Sequence, residues 1–285
     1  MEYNGTAELQ NLGLYEQATK RWEKYLEKYP DDDLSDKAAY YLGVCYLKQG
    51  RFADASETLE TVLRKHPRFE MSDGARYHRA MALFRFAEDS ERTDDFAAAA
   101  AAFSDLVANH SDSEYAARSH YYQGESLYAA DRAEEAVGSF RELIRKYPGD
   151  ELLADAYYSL GTAQQDLQDF AGAAATYGAF LGRKELAAHP LHSEIRLRLA
   201  LSLYEQRLYE QAESAFGQVA ELERYDFADF AMLRQAQCLA ALDRLDDAAK
   251  AFTRLTVRFP RSEYASTARL SAGKCEYETG NYGQA

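Results

Sequence analysis

Few residues of this chain have the type and spacing that catalysis or metal binding would need. His189 and His192 are close enough in sequence to reach one metal ion, but no third ligand follows nearby. The sequence also contains no Cys-x-x-Cys, no His-Glu-x-x-His and no glycine-rich phosphate loop. We therefore predict that the chain is not an enzyme and holds no metal, no catalytic residue and no cofactor.

Charge and composition exclude two further classes of function. The 285 residues include 33 Lys and Arg against 47 Asp and Glu, giving a formal net charge of −14. This charge repels a phosphate backbone, so nucleic acid is not a predicted partner. The alanine-rich segment 96–103 is far shorter than the roughly 18 apolar residues that span a bilayer, so we predict no membrane insertion.

A regular spacing of alanines indicates the elements that organise the chain. Intervals of 36 to 44 residues separate Ala18, Ala55, Ala99, Ala136, Ala173, Ala212, Ala248 and Ala285. A bulky apolar residue follows the first seven alanines at four and at seven positions, as Leu59 and Val62 follow Ala55. These offsets share one face of an α-helix, so each alanine predicts a helix that lies close to a neighbour.

A second helix precedes each alanine helix. In the clearest repeat, Leu42, Gly43 and Tyr46 lie on this first helix, Gly50 ends it, and Pro67 ends the second helix. Small residues recur at the place of Gly43: Ala80, Gly124, Gly161, Ala200, Ala236 and Gly273. The same closing position is held by Pro30, Pro67, Pro148 and Pro260.

These residues resemble the tetratricopeptide repeat, whose pattern is Leu-Gly-x-x-Tyr, then Ala-x-x-x-Phe, then Pro. The resemblance implies an all-α, right-handed α-solenoid of antiparallel helix pairs, here with a period of about 37 residues in a single array. The predicted repeats lie near 1–35, 36–72, 73–116, 117–153, 154–192, 193–228, 229–265 and, partially, 266–285. The chain ends on a recurring alanine, which suggests a longer protein. The period resembles that of bacterial envelope proteins of the outer-membrane assembly lipoprotein and Tol-Pal-associated types, which implies an envelope or periplasmic location.

The phase of the repeat assigns structural roles to reactive side chains. Cys45, Cys238 and Cys275 each follow a small first-helix residue by two positions, which predicts buried thiols without disulfides. Acidic pairs such as Asp94 and Asp95 stand at the start of second helices, where negative charge complements the helix dipole.

Two repeats are longer than the others. Seven extra residues between the helices of the third repeat supply a polar stretch, 88–95, and the linker from Lys184 to His192 lacks the closing proline. We predict a surface loop in each place, with or without a partner.

Tyrosines are the candidate binding residues. Tyr40, Tyr77, Tyr121 and Tyr158 precede the small position by three residues, and Tyr128, Tyr204 and Tyr277 follow it by four. The family resemblance implies that both positions face a concave groove where partners bind. The alternative is that the rings only pack between neighbouring first helices.

The predicted function is a scaffold for a protein or peptide ligand, basic or amphipathic because the chain is acidic. Some family members bind chaperone carboxylates through Lys, Asn and Arg in the groove, but Tyr40, Val44, Tyr77 and Met81 occupy those places here. The alternative function is the recognition arm of an enzyme or regulator whose catalytic domain lies outside this sequence. Self-association through exposed repeat ends is a further possibility.

Overall fold

A computed structural model of the chain describes residues 2–280. Within that range the chain forms α-helices and one 3-10 helix, without a β-strand, so the predicted all-α class is confirmed. The chain divides into two compact units, an N-terminal unit, Met1–Ala156, and a C-terminal unit, Tyr157–Ala285.

The helices of the N-terminal unit are α1 (Glu2–Asn11), α2 (Tyr15–Lys28), α3 (Ser35–Lys48), α4 (Phe52–Lys65), α5 (Ser72–Ser90), α6 (Thr93–Asn109), α7 (Ala116–Ala129) and α8 (Ala133–Lys146). Helix α9 (Leu153–Asp166) begins in this unit and lies mostly in the next. The C-terminal unit continues with α10 (Phe170–Leu181), the 3-10 helix (Lys184–Leu186), α11 (His192–Glu205), α12 (Tyr209–Ala220), α13 (Ala228–Ala241), α14 (Leu245–Arg258) and α15 (Ala265–Glu278).

The two helices of a repeat approach closely through the predicted small residues. Ala55 and Leu59 on α4 are fully buried, and Val62 is 2% exposed, as their shared face requires. A Cβ atom on Gly43 of α3 would lie 2.6 Å from Cγ of Leu59, so any larger residue at position 43 would collide with this side chain. Glycine at this position thus sets the distance between the paired helices.

Neighbouring repeats pack through both kinds of helix. In the N-terminal unit α4 packs on α5 and α6 on α7, while the first helix α5 also contacts α3 and α7. In the C-terminal unit α12 packs on α13 and α14 on α15. Within each unit, a repeat therefore buries its apolar face against its neighbour.

The turn inside each repeat uses a left-handed residue. Gly50 has a φ of 75°, as predicted for a glycine that ends a helix, and Gly13 and Gly280 have φ values of 75° and 81°. Residues other than glycine have the same conformation in the remaining repeats: Glu91, Asp131, Gln168, Arg207 and Asp243. The turn is thus kept where glycine is absent, at a cost in backbone strain.

The polar stretch predicted as a loop in the third repeat is helical instead. The extra residues lengthen α5 and α6, which leaves only Glu91 and Arg92 between the two helices. Ser90 donates a hydrogen bond of 2.7 Å to Asp95, and this contact supports the tight turn. The other insertion does form a linker, which contains the 3-10 helix Lys184–Leu186.

Candidate functional site

The thiols and imidazoles considered for chemistry have structural surroundings. Cys45 and Cys238 are fully buried and Cys275 is 6% exposed, all three unbridged. Burial raises the pKa of the Cys45 thiol to about 11, which keeps it protonated and unreactive. His189 and His192 both pack against the ring of Phe180, with centroids 6.1 and 6.3 Å away.

The acidic pairs lie at the start of second helices, as predicted. Asp94 and Asp95 lie in the first turn of α6, Glu134 and Glu135 in that of α8, and Asp246 and Asp247 in that of α14. Negative charge at these ends complements the helix dipole. Among the described residues, no group of three or more His, Cys, Asp and Glu side chains is arranged to hold a metal ion.

Two of the candidate tyrosines are buried in the N-terminal unit. Tyr40 is 5% exposed and Tyr77 is 8% exposed. Tyr77 stacks on Tyr115 with ring centroids 4.6 Å apart, and Tyr40 lies 5.8 Å from the ring of Phe69. For these two positions the structure favours the packing interpretation over the exposed groove.

Tyr40 and Tyr77 are buried because residues of the segments that join consecutive repeats cover them. Phe69 lies between α4 and α5, and Tyr115 lies immediately before α7, so both belong to the linkers between consecutive repeats. Their rings cover the tyrosines of the preceding first helices. The groove position is thereby filled by the chain itself.

A histidine completes this aromatic cluster. The ring of His78 on α5 lies 5.9, 5.3 and 5.8 Å from those of Tyr40, Tyr77 and Tyr115. Burial, with a smaller effect of the Lys48 charge, lowers the pKa of His78 to about 4. The imidazole is therefore neutral at physiological pH and acts as one more packed ring.

Two other candidates of the N-terminal unit are more accessible. Tyr121 on α7 is half-buried and packs edge-on against Tyr122, with ring centroids 5.4 Å apart. Tyr128, seven residues or about two helical turns further along α7, is 37% exposed. These side chains keep surface that a ligand could cover.

The C-terminal unit surrounds its tyrosines with polar groups. Tyr158 on α9 is half-buried, and the guanidinium of Arg198 on α11 lies 4.9 Å from the centre of its ring. Arg198 Nη2 donates a 2.8 Å hydrogen bond to the Tyr158 hydroxyl oxygen, and its Nε donates a 3.0 Å bond to Glu194. Burial alone would lower the pKa of Arg198. The combined effect of the nearby Tyr158, Tyr177 and Glu194 is larger and raises this pKa.

Glutamine and tyrosine side chains extend this network. Arg198 Nη1 donates to Gln165 Oε1 at 3.2 Å, and the hydroxyl of the buried Tyr177 donates to the same oxygen at 3.0 Å. Tyr225 donates a 2.9 Å hydrogen bond to the other oxygen of Glu194. The Arg198 side chain is therefore fixed on all sides before any ligand binds.

A second tyrosine and arginine pair lies one repeat further on. The guanidinium of Arg234 on α13 lies 5.1 Å from the ring centre of Tyr204 on α11. Tyr204 is half-buried and packs against Tyr209 at 5.5 Å. We call Tyr158, Arg198, Tyr204 and Arg234 the tyrosine–arginine surface.

The last candidate tyrosine, Tyr277 on α15, lies outside this surface and is 65% exposed.

The arginines of this surface are absent from the sequence-based site. Both stand two residues before a small first-helix residue, Arg198 before Ala200 and Arg234 before Ala236. Their equivalent placement in consecutive repeats was the signal that could have revealed them. The surface offers aromatic faces, hydrogen-bond donors and a positive guanidinium, which are groups that bind other molecules without reacting.

No helix in the described range has the length and apolar character needed to cross a membrane.

Family models match most of the chain. One, described as YfiO, an outer membrane lipoprotein, matches residues 3–120. Two tetratricopeptide repeat models match residues 118–150 and residues 158–229, 201–263 and 233–285. Together the tetratricopeptide models cover more than half of the chain. Comparison with the curated proteins gave no match.

Solved structures share the fold. A tetratricopeptide repeat protein from Parabacteroides merdae has a TM-score of 0.54 at 12% identity, covering 95% of this chain and 97% of its own. The C-terminal part of a TPR repeat-containing protein from Cytophaga hutchinsonii has a TM-score of 0.64 at 16% identity, covering 93% and 98%. A signal transduction ATPase with a tetratricopeptide repeat sensor from Pyrococcus horikoshii has a TM-score of 0.56 at 18% identity, covering 96% of this chain and 45% of that one. The predicted solenoid fold class is thus confirmed.

Proposed function

Since the chain belongs to the tetratricopeptide repeat family, we propose that it is a non-catalytic scaffold that binds a peptide or helical segment of a partner protein on its first helices. Repeats of this family serve as surfaces for protein–protein interaction. The observation that carries the proposal is the tyrosine–arginine surface, where half-buried rings on α9 and α11 are each paired with a guanidinium.

The chemistry of this surface suits a protein ligand. Tyrosine presents a large apolar face and a polar tip while freezing few rotamers, and tyrosine and arginine are enriched among residues that dominate binding energy. Because Glu194 and Gln165 already fix Arg198, little conformational entropy is lost when a ligand covers Tyr158. Preorganisation of this kind favours binding.

In the N-terminal unit, Tyr121 and Tyr128 are the groove residues that a ligand would contact, and Tyr277 extends the set in the C-terminal unit. Tyr40 and Tyr77 take the supporting role of holding the first helices together, since little of either ring is accessible. The proposed binding surface therefore excludes two of the seven candidate tyrosines.

The partner is basic or amphipathic overall. The chain carries a net charge of −14, which attracts positively charged segments and repels acidic ones. The match of residues 3–120 to an outer membrane lipoprotein model supports an assembly in a bacterial envelope, in the periplasm, as the setting.

Selection from a library of short random peptides tests this function. We expect the wild-type chain to enrich basic or amphipathic peptides, and Tyr158→Ala and Tyr204→Ala to weaken their binding about ten-fold or more, as loss of a central aromatic contact does. Fluorescence anisotropy measures the affinities, and circular dichroism measures the melting temperature of each variant.

Val257→Ala is the matched control, because Val257 is 75% exposed on the second helix α14. It should leave peptide binding unchanged. Equal affinity of the tyrosine variants and wild type would contradict the groove, as would a loss of binding that only follows loss of helical structure.

The recognition arm of a larger regulator is the second candidate. The observation that favours it is the similarity to a signal transduction ATPase whose tetratricopeptide repeats are a sensor, of which this chain covers 45%. A full reading frame that adds a catalytic motif would favour this candidate, and one that adds only repeats or a lipid anchor would favour the scaffold.

A further inference from the structure

Arg234 is a half-buried cation held between two aromatic rings. Its guanidinium lies 5.1 Å from the ring centre of Tyr204 on α11 and 5.1 Å from that of Phe230 on its own helix. The Phe230 ring packs in turn against Tyr264, with centroids 5.7 Å apart. Stacked rings of this kind restrict the plane of a guanidinium and so orient its donors.

Arg234 differs from Arg198 in having no acidic partner. Four residues before Arg198 stands Glu194, which accepts its Nε hydrogen bond at 3.0 Å, whereas four residues before Arg234 stands Phe230. Among the described residues, no carboxylate oxygen lies within ion-pair distance of Arg234. Both arginines of the tyrosine–arginine surface are charged, but the C-terminal unit supplies a carboxylate counter-charge only to Arg198.

The hydrogen bonds of Arg234 are also incomplete. Its Nη1 donates to Gln237 Oε1 at 3.1 Å, while its Nε is buried and has no acceptor. Removing a charged group from water without a counter-charge is unfavourable, and the two rings compensate only in part. An oxyanion that covered this site would supply the missing charge and could accept two parallel hydrogen bonds from the guanidinium.

We propose that Arg234 binds the side-chain carboxylate of an Asp or Glu in the segment that occupies this surface, an inference that rests on the function proposed above. The carboxylate belongs to a side chain rather than to a chain terminus because Arg234 lies in the middle of α13, Ala228–Ala241. A segment that crosses this helix continues past it on both sides. The ligand is thus a basic or amphipathic segment that carries one acidic residue at a fixed position.

Peptide selection with a comparison of sequences tests the proposal. The library of short random peptides is selected in parallel on the wild type and on Arg234→Gln, which removes the charge and keeps a polar side chain. We expect peptides enriched by the wild type to share an Asp or Glu at one position, and those enriched by Arg234→Gln to lack this preference. Replacing that acidic residue by its amide should weaken wild-type binding about ten-fold, and should change binding to Arg234→Gln little.

Arg254→Gln is the matched control, since Arg254 lies on the second helix α14, outside the tyrosine–arginine surface, and is paired with Glu221, and it should keep the acidic preference. Arg234→Lys keeps the charge without the planar fork and serves as a second variant if Arg234→Gln does not fold. Peptides that are enriched with no acidic position would overturn this inference while leaving the scaffold function intact. A preference for a free terminal carboxylate would overturn the choice of a side chain, and no enrichment at all would overturn both proposals.

Discussion

Equivalent positions have different surroundings in the two units. In the N-terminal unit Tyr40 lies 5.9 Å from the neutral ring of His78 on the next first helix. In the C-terminal unit Tyr158 stands at the same repeat position, and the equivalent of His78 is Arg198, whose guanidinium lies 4.9 Å from the tyrosine ring. One pair is buried among rings, and the other keeps a charge near solvent. The repeat position decides which side chains meet, and the residue facing the tyrosine decides whether the pair packs or binds.

The largest expected difference is in stability. Tyr77→Ala should lower the free energy of unfolding of the N-terminal unit by about 3–5 kcal/mol, because it empties a buried ring site. Tyr158→Ala removes a half-buried ring with one hydrogen bond and should cost about 1 kcal/mol in the C-terminal unit. Hydrogen exchange, read separately for peptides of each unit, measures both effects. Equal losses in the two units would remove the distinction between packing and binding tyrosines.

The next largest effect on stability should come from acid, through the buried histidines of the N-terminal unit. Burial holds the pKa of His78 at about 4, against an ordinary value of 6.5, and the pKa of His120 in the same unit is also lowered to about 4. Unfolding therefore takes up protons between these values, so stability is complete above pH 6.5 and falls as the pH decreases toward 4. For His78 alone the loss is on the order of 3 kcal/mol.

Chemical unfolding at a series of pH values checks this dependence. His78→Gln should show a shallower loss of stability than the wild type between pH 6.5 and 4, whereas the exposed His66→Gln should show the same loss. Identical slopes for the wild type and His78→Gln would mean that burial does not hold the imidazole neutral.

A moderate loss of stability is expected when Arg198, the charged partner of Tyr158, is replaced. Arg198→Gln leaves Glu194 without its ion pair and removes donors from Tyr158 and Gln165, which should cost about 2 kcal/mol. Arg196→Gln on the same helix is the control and should cost clearly less. Denaturant titration of both variants tests the difference, and matching values would show that the Arg198 network contributes no stability.

The smallest effect concerns the turns inside the repeats. Arg207 has a φ of 60°, where a side chain is strained, while Gly50 has the equivalent conformation without strain. Arg207→Gly should therefore raise the free energy of unfolding by about 0.5–1 kcal/mol, and Gly50→Ala should lower it by a similar amount. Thermal melting of the two variants should move in opposite directions. A decrease for Arg207→Gly would mean that its side chain stabilises the turn.

The helix pairs could be predicted from the sequence because alanine, glycine and proline each have a local physical reason for their place. Ala55, Gly43 and Pro67 report close packing and helix ends directly. The extension of α5 and α6 could not be predicted in this way, because residues such as Glu88 and Asp89 are compatible with both a loop and an exposed helix face.

The candidate site was harder to predict, because accessibility depends on residues outside the helical period. The burial of Tyr77 results from Tyr115, a linker residue whose position the alanine spacing does not determine. The partner of Tyr158 is Arg198, 40 residues away and on a different helix. Periodicity identifies equivalent residues, and only the three-dimensional contacts show which of them remain open to a ligand.

The tight contact between paired helices has a consequence for how this chain can change. A Cβ on Gly43 would lie 2.6 Å from Leu59, one on Gly124 would lie 2.5 Å from Phe140, and one on Gly161 would lie 2.3 Å from Tyr177. In these three repeats a glycine on the first helix faces a large side chain on the second, so even the methyl group of alanine would force that side chain to move. A first helix that carries alanine at this position, such as α5 with Ala80, would therefore fit poorly in these three repeats, whereas a whole repeat would carry its own matched pair with it. The whole repeat is accordingly the smallest module that recombination, or a protein engineer, can move intact.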